Sequence, residues 1–312
     1  MEPALMEPAP IEPPLLNLLP VVLRARDFRL YTQDGGRLVD LWQSGGRSIL
    51  GHTPAGVSRE LKNYTSRGLF SPLPHPQERR LVKALSRLIP GRAFRLYADR
   101  FSLTKALERA GFPPPAPSPP ASSLPASFPA ASFPDPAFSP PPPAVPALWR
   151  PFLEPETPVR DQDQAPILIP ILPWPLSPWV LALKPALEDR FAPSQPISPV
   201  LLAAATRAVY DLVAAGPLGG RPVYPRINHA LYGNTPGPAN PWRRRGPYLV
   251  HASFTGTQPS PPRQFWETLF RNFLREGFLI PPDPAEPLIL PGILSPGEEA
   301  RLAALLLAAC QD

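Results

Sequence analysis

Apolar residues change their spacing several times along the chain, and each change marks an element. From Leu23, "LRARDFRLYTQDGGRLVDLWQSG" alternates apolar and polar positions on both sides of Asp34-Gly35-Gly36, which predicts strands joined by a hairpin turn. "TPAGVSRELKNYTSRG" and "HPQERRLVKALSRLIPG" then follow helical spacing. In the second, Leu81, Leu85 and Leu88 fall at i, i+4 and i+7, and Pro90-Gly91 ends the pattern. "RAFRLYA" predicts a strand and "SLTKALERAG" a helix.

Beyond Trp149, "APILIPIL" predicts a buried strand and "SPWVLALKPALED" a short helix despite its proline. "SPVLLAAATRAVYDLVAAG" predicts a longer helix with small and apolar residues on one face and a glycine stop. "GPYLVHASFTG" reads as a strand, "PRQFWETLFRNFLREG" as an amphipathic helix, and "FLIPP" and "PLILPG" as short strands. The last element, "SPGEEARLAALLLAAC", predicts a helix capped by Ser295 with Glu298 three residues on, the spacing of a capping box. Strands alternating with helices place the chain in the α/β class.

Composition alters that picture in one place. Of 312 residues, 54 are proline, about three times the usual share, yet 43% are hydrophobic, enough for a core. Residues 112–148 concentrate the excess. "FPPPAPSPPASSLPASFPAASFPDPAFSPPPPAVPAL" carries one charge, Asp135, and favours extended polyproline conformation over a packed core. It predicts an insertion in the fold, or a docking strip for an aromatic groove in a partner.

The net charge is +6, with 31 Lys and Arg, of which only Lys62, Lys83, Lys105 and Lys184 are lysines. The arginines are spread along the chain apart from Arg243-Arg244-Arg245, which reads as solvated faces and not as a nucleic-acid surface. A single cysteine, Cys310, excludes an internal disulfide. "MEPALMEPAPIEPPLLNLLP" lacks the basic start and unbroken apolar run of a signal peptide. The longest uncharged apolar run, 164–183, contains five prolines, too many missing amide donors for a membrane span. The expectation is a soluble cytoplasmic protein that engages neither membrane nor nucleic acid. No G-x-S-x-G, Walker loop, G-x-G-x-x-G or metal-spaced His/Cys pair is present, and His52, His75, His229 and His251 are dispersed.

"DGGRLVDLWQSGGRSILGHTPAGV" followed by "HPQERRLVKALSRLIPG" resembles the N-terminal portion of class III aminotransferases. The shared pattern is an Asp-Gly turn, an aromatic-flanked strand, a Ser-Gly pair, Leu-Gly-His and a proline-bounded helix. "RRRGPYLVHASF" is similar to an Arg-Gly strand of that family's small domain. "FWETLFRNFLREGFLIPP" with "LSPGEEARLAALL" is similar to its closing helix, strand and helix. The resemblance covers roughly residues 24–91 and 200–309. It implies an aspartate-aminotransferase-like fold (pyridoxal-phosphate fold type I) with a reduced large domain and a mixed α/β small domain. Four segments follow: an N-terminal arm, 1–22; the first segment of the small domain, 23–91; the reduced large domain with its insertion, 92–199; and the C-terminal small domain, 200–312. Family members are homodimers with active sites at the subunit interface, so the resemblance also implies a dimer, with itself or with a full-length paralogue.

Pyridoxal phosphate needs a Schiff-base lysine, an acid on the pyridine nitrogen, donors around the phosphate and a ring-stacking group. Where the family has a Ser-Gly-Thr phosphate turn this chain reads "YADRFSLTKAL", with Arg100-Phe101 in place of the glycine and Asp99 adding negative charge. "ILIPILPWPLSPWVLALKPALED" aligns Pro170 with the proline of a Glu-Pro strand, leaves Ile169 or Pro170 for the glutamate, and then runs into the next helix. On that alignment the aspartate strand and the lysine loop are deleted, with Asp189 as a remnant. In an active enzyme Lys184 or Lys105 would supply the amine, Ser102 and Thr104 would hold the phosphate, and Arg245 a substrate carboxylate. The first expectation is instead a diverged homologue without transaminase activity that serves in binding or regulation. The alternatives are an active pyridoxal-phosphate aminotransferase or aminomutase with a relocated lysine, and a proline-rich interaction protein.

Overall fold

The computed structural model describes residues 15–112, 146–153, 165–216, 224–233, 241–251 and 263–308. Residues 1–14 of the expected arm, 113–145 of the proline-rich segment and Cys310 lie outside the described residues. The chain opens with strands β1 (Val22–Arg26), β2 (Arg29–Thr32) and β3 (Arg37–Asp40), then helices α1 (Ala55–Thr65) and α2 (Gln77–Leu88). Next come β4 (Ala93–Tyr97), α3 (Arg100–Arg109), β5 (Ala147–Trp149), β6 (Ile167–Pro170), β7 (Trp179–Leu183) and α4 (Pro199–Ala215). The C-terminal part holds α5 (Pro225–Tyr232), β8 (Trp242–Arg245), β9 (Tyr248–His251), α6 (Arg263–Arg275), β10 (Phe278–Leu279), β11 (Leu288–Ile289) and α7 (Pro296–Ala308).

These strands form three sheets, ordered β1-β2-β3-β10, β11-β9-β8 and β4-β7-β6-β5. The first is an antiparallel meander whose β3 is joined in parallel by β10 from the far end of the sequence. Its apolar residues, Leu38 and Leu41, share a core with Phe270, Phe273, Phe278 and Leu302, so the two ends of the chain bury each other's surface.

The third sheet is the central one. Leu96, Leu168 and Val180 face a layer made by α1, α2 and α4, while Ile167, Ile169, Leu181 and Leu183 face α3. Both faces are therefore buried, which explains a difference from the sequence expectation. "SPWVLALKPALED" is not a helix: Trp179–Leu183 is the strand β7, paired with β4 and β6, and Pro185–Arg190 is a short 3₁₀ turn. A strand covered on both faces loses its apolar–polar alternation, and such a run has no periodicity to separate it from a buried helix. The α5 helix and the short strand β5 were not anticipated either. The alanine-rich α4 lies close against α1, where a Cβ on Gly56 would sit inside the Arg207 side chain.

The capping box at α7 is present and carries more than its helix. Ser295 N donates to Glu298 Oε2 at 2.8 Å and Glu298 N donates to Ser295 Oγ at 3.3 Å. The same carboxylate, only 2% exposed, receives Arg29 Nε at 3.1 Å, Arg29 Nη2 at 2.6 Å and Arg37 Nη2 at 3.2 Å. It thus ties the N-terminal meander to the last helix. Burial pushes this carboxyl up, but the Arg29 hydrogen bonds and the Ser295 amide outweigh it and hold the group at about 2. A carboxyl depressed in the folded state stabilises it above the unfolded-state value and loses that contribution as pH falls towards the folded one. Stability should therefore decline between pH ~4.5 and pH ~2. Glu298→Gln should cost roughly 3 kcal/mol at neutral pH, the usual loss for breaking one side of a buried pair, and should flatten that acid limb. Urea melts of both proteins from pH 7 to pH 3 check this, and parallel acid limbs would refute it.

Candidate functional site

Strands β4, β5 and β6 run in the same direction and β7 runs against them. Their carboxyl ends therefore meet the start of β7 along one edge, the place where open α/β sheets present ligand sites. Three segments leave that edge: Ala98-Asp99 into α3, Arg150-Pro151 after β5, and Ile171-Leu172 after β6. A fourth, the turn Gln43–Gly46 after β3, lies over it. Arg150 Nη1 donates to Gly45 O at 3.1 Å, and a Cβ on Gly46 would lie 3.4 Å from the Ile171 side chain. The next residue, Arg47, donates from Nη1 to Ser177 O at 3.2 Å and Pro175 O at 3.4 Å, with its guanidinium 4.4 Å above the Trp179 ring.

The turn is unusual in its backbone. Gln43, Ser44, Gly45 and Gly46 all have positive φ (50°, 52°, 68° and 99°), one turn of left-handed conformation that includes two residues with side chains. Each such residue costs ~1–2 kcal/mol, so the surroundings must impose it. Asp40 does most of this: Oδ1 accepts Trp42 N at 2.9 Å and Gln43 N at 2.8 Å, while Oδ2 lies 2.9 Å from His52 Nε2. Gln43 Nε2 donates to Ile289 O at 3.0 Å, and Trp42 Nε1 donates to Glu286 Oε2 at 2.6 Å. His52 of the Leu-Gly-His segment thus has a holding role in this structure.

Three arginines gather here. Burial lowers Arg100, with Glu286 acting against it, and burial pulls Arg47 down to about 10. Both remain cations at neutral pH. Arg150 is 2% exposed, with its guanidinium 5.4 Å from the Tyr248 ring.

The residues expected from the sequence to form a cofactor site do not converge on this edge. Ser102 and Thr104 are half-buried on α3, near the edge, and the Ser102 amide is already taken at 2.7 Å by Asp99 Oδ1. Lys105 points outward, bonded to Glu108 at 2.8 Å. Lys184 follows the far end of β7, opposite Ala93 and Ile167, so the length of the strand, roughly 16 Å, separates it from Trp179. That opposite edge carries an open groove lined in part by Arg92, Arg95, Pro185 and Glu188, with Arg95 bonded to Glu188. Asp189 is exposed in the 3₁₀ turn. Arg245, 8% exposed, ends β8 opposite Tyr248, and so shares a face with the ring that Arg150 approaches.

Sequence reasoning missed Arg47, Arg150, Ser177 and Trp179. The Gly-Gly-Arg of "WQSGGRS" was a usable signal for Arg47, whereas Arg150 follows a low-complexity stretch and carried none.

No family model matches the sequence. Two proteins each described as "Uncharacterized protein" are similar over short stretches. One, from Treponema pallidum (strain Nichols), is 44% identical over 77 residues, 25% of each chain. The other, from Borreliella burgdorferi, is 49% identical over 61 residues, 20% of this chain and 23% of that one. The matched stretch spans about a quarter of the length of those relatives.

Solved structures extend the likeness across the chain. A β-phenylalanine aminotransferase from Variovorax paradoxus superposes with TM-score 0.65 at 15% identity, covering 92% of this chain and 86% of that one. An omega-transaminase from Sphaerobacter thermophilus gives 0.62 at 13% identity, covering 94% and 91%. A glutamate-1-semialdehyde-aminomutase from Pseudomonas aeruginosa PAO1 gives 0.59 at 14%, covering 93% and 87%. The chain has the mixed α/β fold of the pyridoxal-phosphate fold type I aminotransferases.

The residues present do not fit that cofactor. All four lysines of the sequence are exposed, and none lies on the carboxyl edge. The α3 terminus that would face a phosphate is capped by the carboxylate of Asp99, a like charge. What this edge can do chemically is hold a ligand by charge and hydrogen bonds. Its left-handed turn makes one expectation checkable. Ser44→Gly should relieve strain and raise stability by up to about 1 kcal/mol, whereas Ser44→Val should lower it by more than that, both read from denaturant melts.

Proposed function

We propose that this chain is an aminotransferase-fold protein that does not carry out transamination and acts in binding or regulation. The observation that supports it is the placement of the lysines. Transamination on pyridoxal phosphate requires an amine at the reacting carbon, both to bond the cofactor and to move its proton. Lys105 is held by Glu108 on the outside of α3, Lys184 stands at the opposite edge of the sheet, and Lys62 and Lys83 are exposed on α1 and α2. A positioned proton-transfer group contributes typically 10²–10⁴-fold, before the covalent step is counted. The arginines at the carboxyl edge stay protonated and cannot replace it.

In this reading the protein keeps the architecture and uses it to recognise a partner, as a dimer with a second copy or with a complete paralogue, in the cytoplasm. The test is direct. The purified protein is mixed with pyridoxal phosphate, reduced with borohydride and digested, and amino-group transfer is assayed in parallel. The expected outcome is weak, scattered labelling of all four lysines and no transfer. A single stoichiometric adduct at Lys105 or Lys184, accompanied by transfer, would overturn the proposal in favour of an active enzyme with a relocated lysine.

A further inference from the structure

Basic residues look dispersed along the sequence, but the fold gathers many of them on one surface. Residues 53–92 hold eight basic and two acidic side chains, a net charge of +6 that equals that of the whole chain. Helices α1 and α2 lie in the layer over one face of the central sheet, and each turns its apolar residues inward. In α1 Val57 and Tyr64 are buried, whereas Arg59 and Lys62 stand on the opposite side. In α2 Leu81 and Leu85 are buried, whereas Arg79, Lys83 and Arg87 follow one another at i, i+4 and i+8 on the far side, with Arg80 beside them. These six residues, and Arg67 just beyond α1, are all exposed. Among the described residues none of the seven is bonded to a carboxylate. Arg67 and Arg87 lie instead against the rings of Tyr64 and Tyr210, at 5.2 Å and 5.6 Å.

The loop that joins the two helices adds apolar surface to this charge. Phe70 and Leu73 are 61% and 54% exposed, and Pro72 and Pro74 are exposed beside them. Leu69 anchors the loop by packing against the cluster of Tyr64 and Val200, and its carbonyl accepts Ser198 Oγ at 3.3 Å. Phe70 N donates to Gly68 O at 3.0 Å and Leu73 N to Ser71 O at 2.9 Å, so the backbone on either side is tied as well. Single exposed apolar residues are ordinary, but two on one anchored loop, rimmed by cations, form a patch. Cations around an apolar tip suit a surface with negative charge outside and hydrocarbon just beneath. A nucleic-acid backbone would meet the charge but would leave Leu73 in water.

We propose that the outer face of α1 and α2, with loop 66–76, docks on an anionic phospholipid bilayer. The cations meet the headgroup phosphates, and Phe70 and Leu73 enter between the upper parts of the acyl chains. No helix of the described residues is long and apolar enough to cross a membrane, and a peripheral face needs none. The proposal departs from the sequence expectation of no membrane contact, which followed from the lack of a span and the spread of the arginines. It is independent of the reading above, since an adduct at Lys105 or Lys184 would remove that reading and leave this face untouched.

The experiment floats the full chain with phosphatidylcholine vesicles that contain about a third phosphatidylserine, and with phosphatidylcholine vesicles alone. Saturable binding to the anionic vesicles is expected, absent with phosphatidylcholine and lost as sodium chloride is raised. Arg79→Gln combined with Lys83→Gln should weaken it roughly twentyfold, at roughly fivefold per charge. Phe70→Ser combined with Leu73→Ser should weaken it roughly tenfold. All four positions are exposed, so both double variants should keep the wild-type thermal midpoint. No binding to the anionic vesicles, or wild-type binding by either double variant, would overturn the proposal. Tighter binding to polyuridylate than to the vesicles, unaffected by the loop variant, would also overturn it and assign the face to nucleic acid. So would a lipid-free dimer that the loop variant dissociates in sedimentation equilibrium, since the loop would then be a seam between two copies.

Discussion

Eight residues, Asp40 to Arg47, hold three sheets together. Leu41 N donates to Leu279 O at 2.8 Å and Leu41 O accepts Ile289 N at 2.6 Å, which joins the meander to the strands β10 and β11. Gln43 adds a second bond to Ile289, Gly45 receives Arg150 from the end of β5, and Arg47 reaches the loop that opens β7. Such a short segment can face three partners only by curling tightly, and a left-handed turn is the tight option. The two glycines adopt it without steric cost, Gln43 and Ser44 do not, and the buried carboxylate of Asp40 opposes the difference. The constraint is thus local in sequence and global in effect. If this turn relaxed, the meander, the hairpin β8–β9 with β11, and the central sheet would lose their common seam.

Local signals made much of this fold legible. Elements whose pattern is set by one buried face could be read directly: α2 from Leu81 and Leu85, the β2–β3 hairpin from Asp34-Gly35-Gly36, and α7 from Ser295 and Glu298. Where burial is two-sided the pattern vanishes, and β7 was mistaken for a helix on that account. Glu298 shows a second limit. Its spacing announced the cap, but nothing local announced Arg29 and Arg37, partners more than 250 residues away in sequence, because an ion pair between distant elements leaves no periodicity behind.

Sequence order named candidate side chains for the site without showing where the fold would put them. Of the four lysines in 312 residues, Lys184 and Lys105 were the sequence candidates for the amine, and the structure places all four on exposed surfaces. Lys184 drew notice by its place in the sequence order, but chain direction decides which edge of a sheet a residue reaches. An antiparallel β7 delivers Lys184 to the edge away from Arg100 and Arg150. That reversal is a property of strand pairing, which no single-strand pattern contains. Ser102 was placed near the right edge by its motif, yet its amide is spent on Asp99, three residues earlier in the same segment.

An edge that presents arginines and no lysine differs from one with a lysine in the kind of chemistry available, and not only in its strength. A lysine that loses its proton on burial becomes a nucleophile, which is the basis of imine formation. Arginine resists that conversion. Even where burial pulls Arg47 down to about 10, the group stays cationic at neutral pH. It therefore offers charge and a rigid pair of donors but no lone pair, and recognition through it is electrostatic and reversible. The α3 terminus is already capped by the carboxylate of Asp99, and the Arg47 guanidinium lies over the ring of Trp179, so the edge presents fixed donors and no amine.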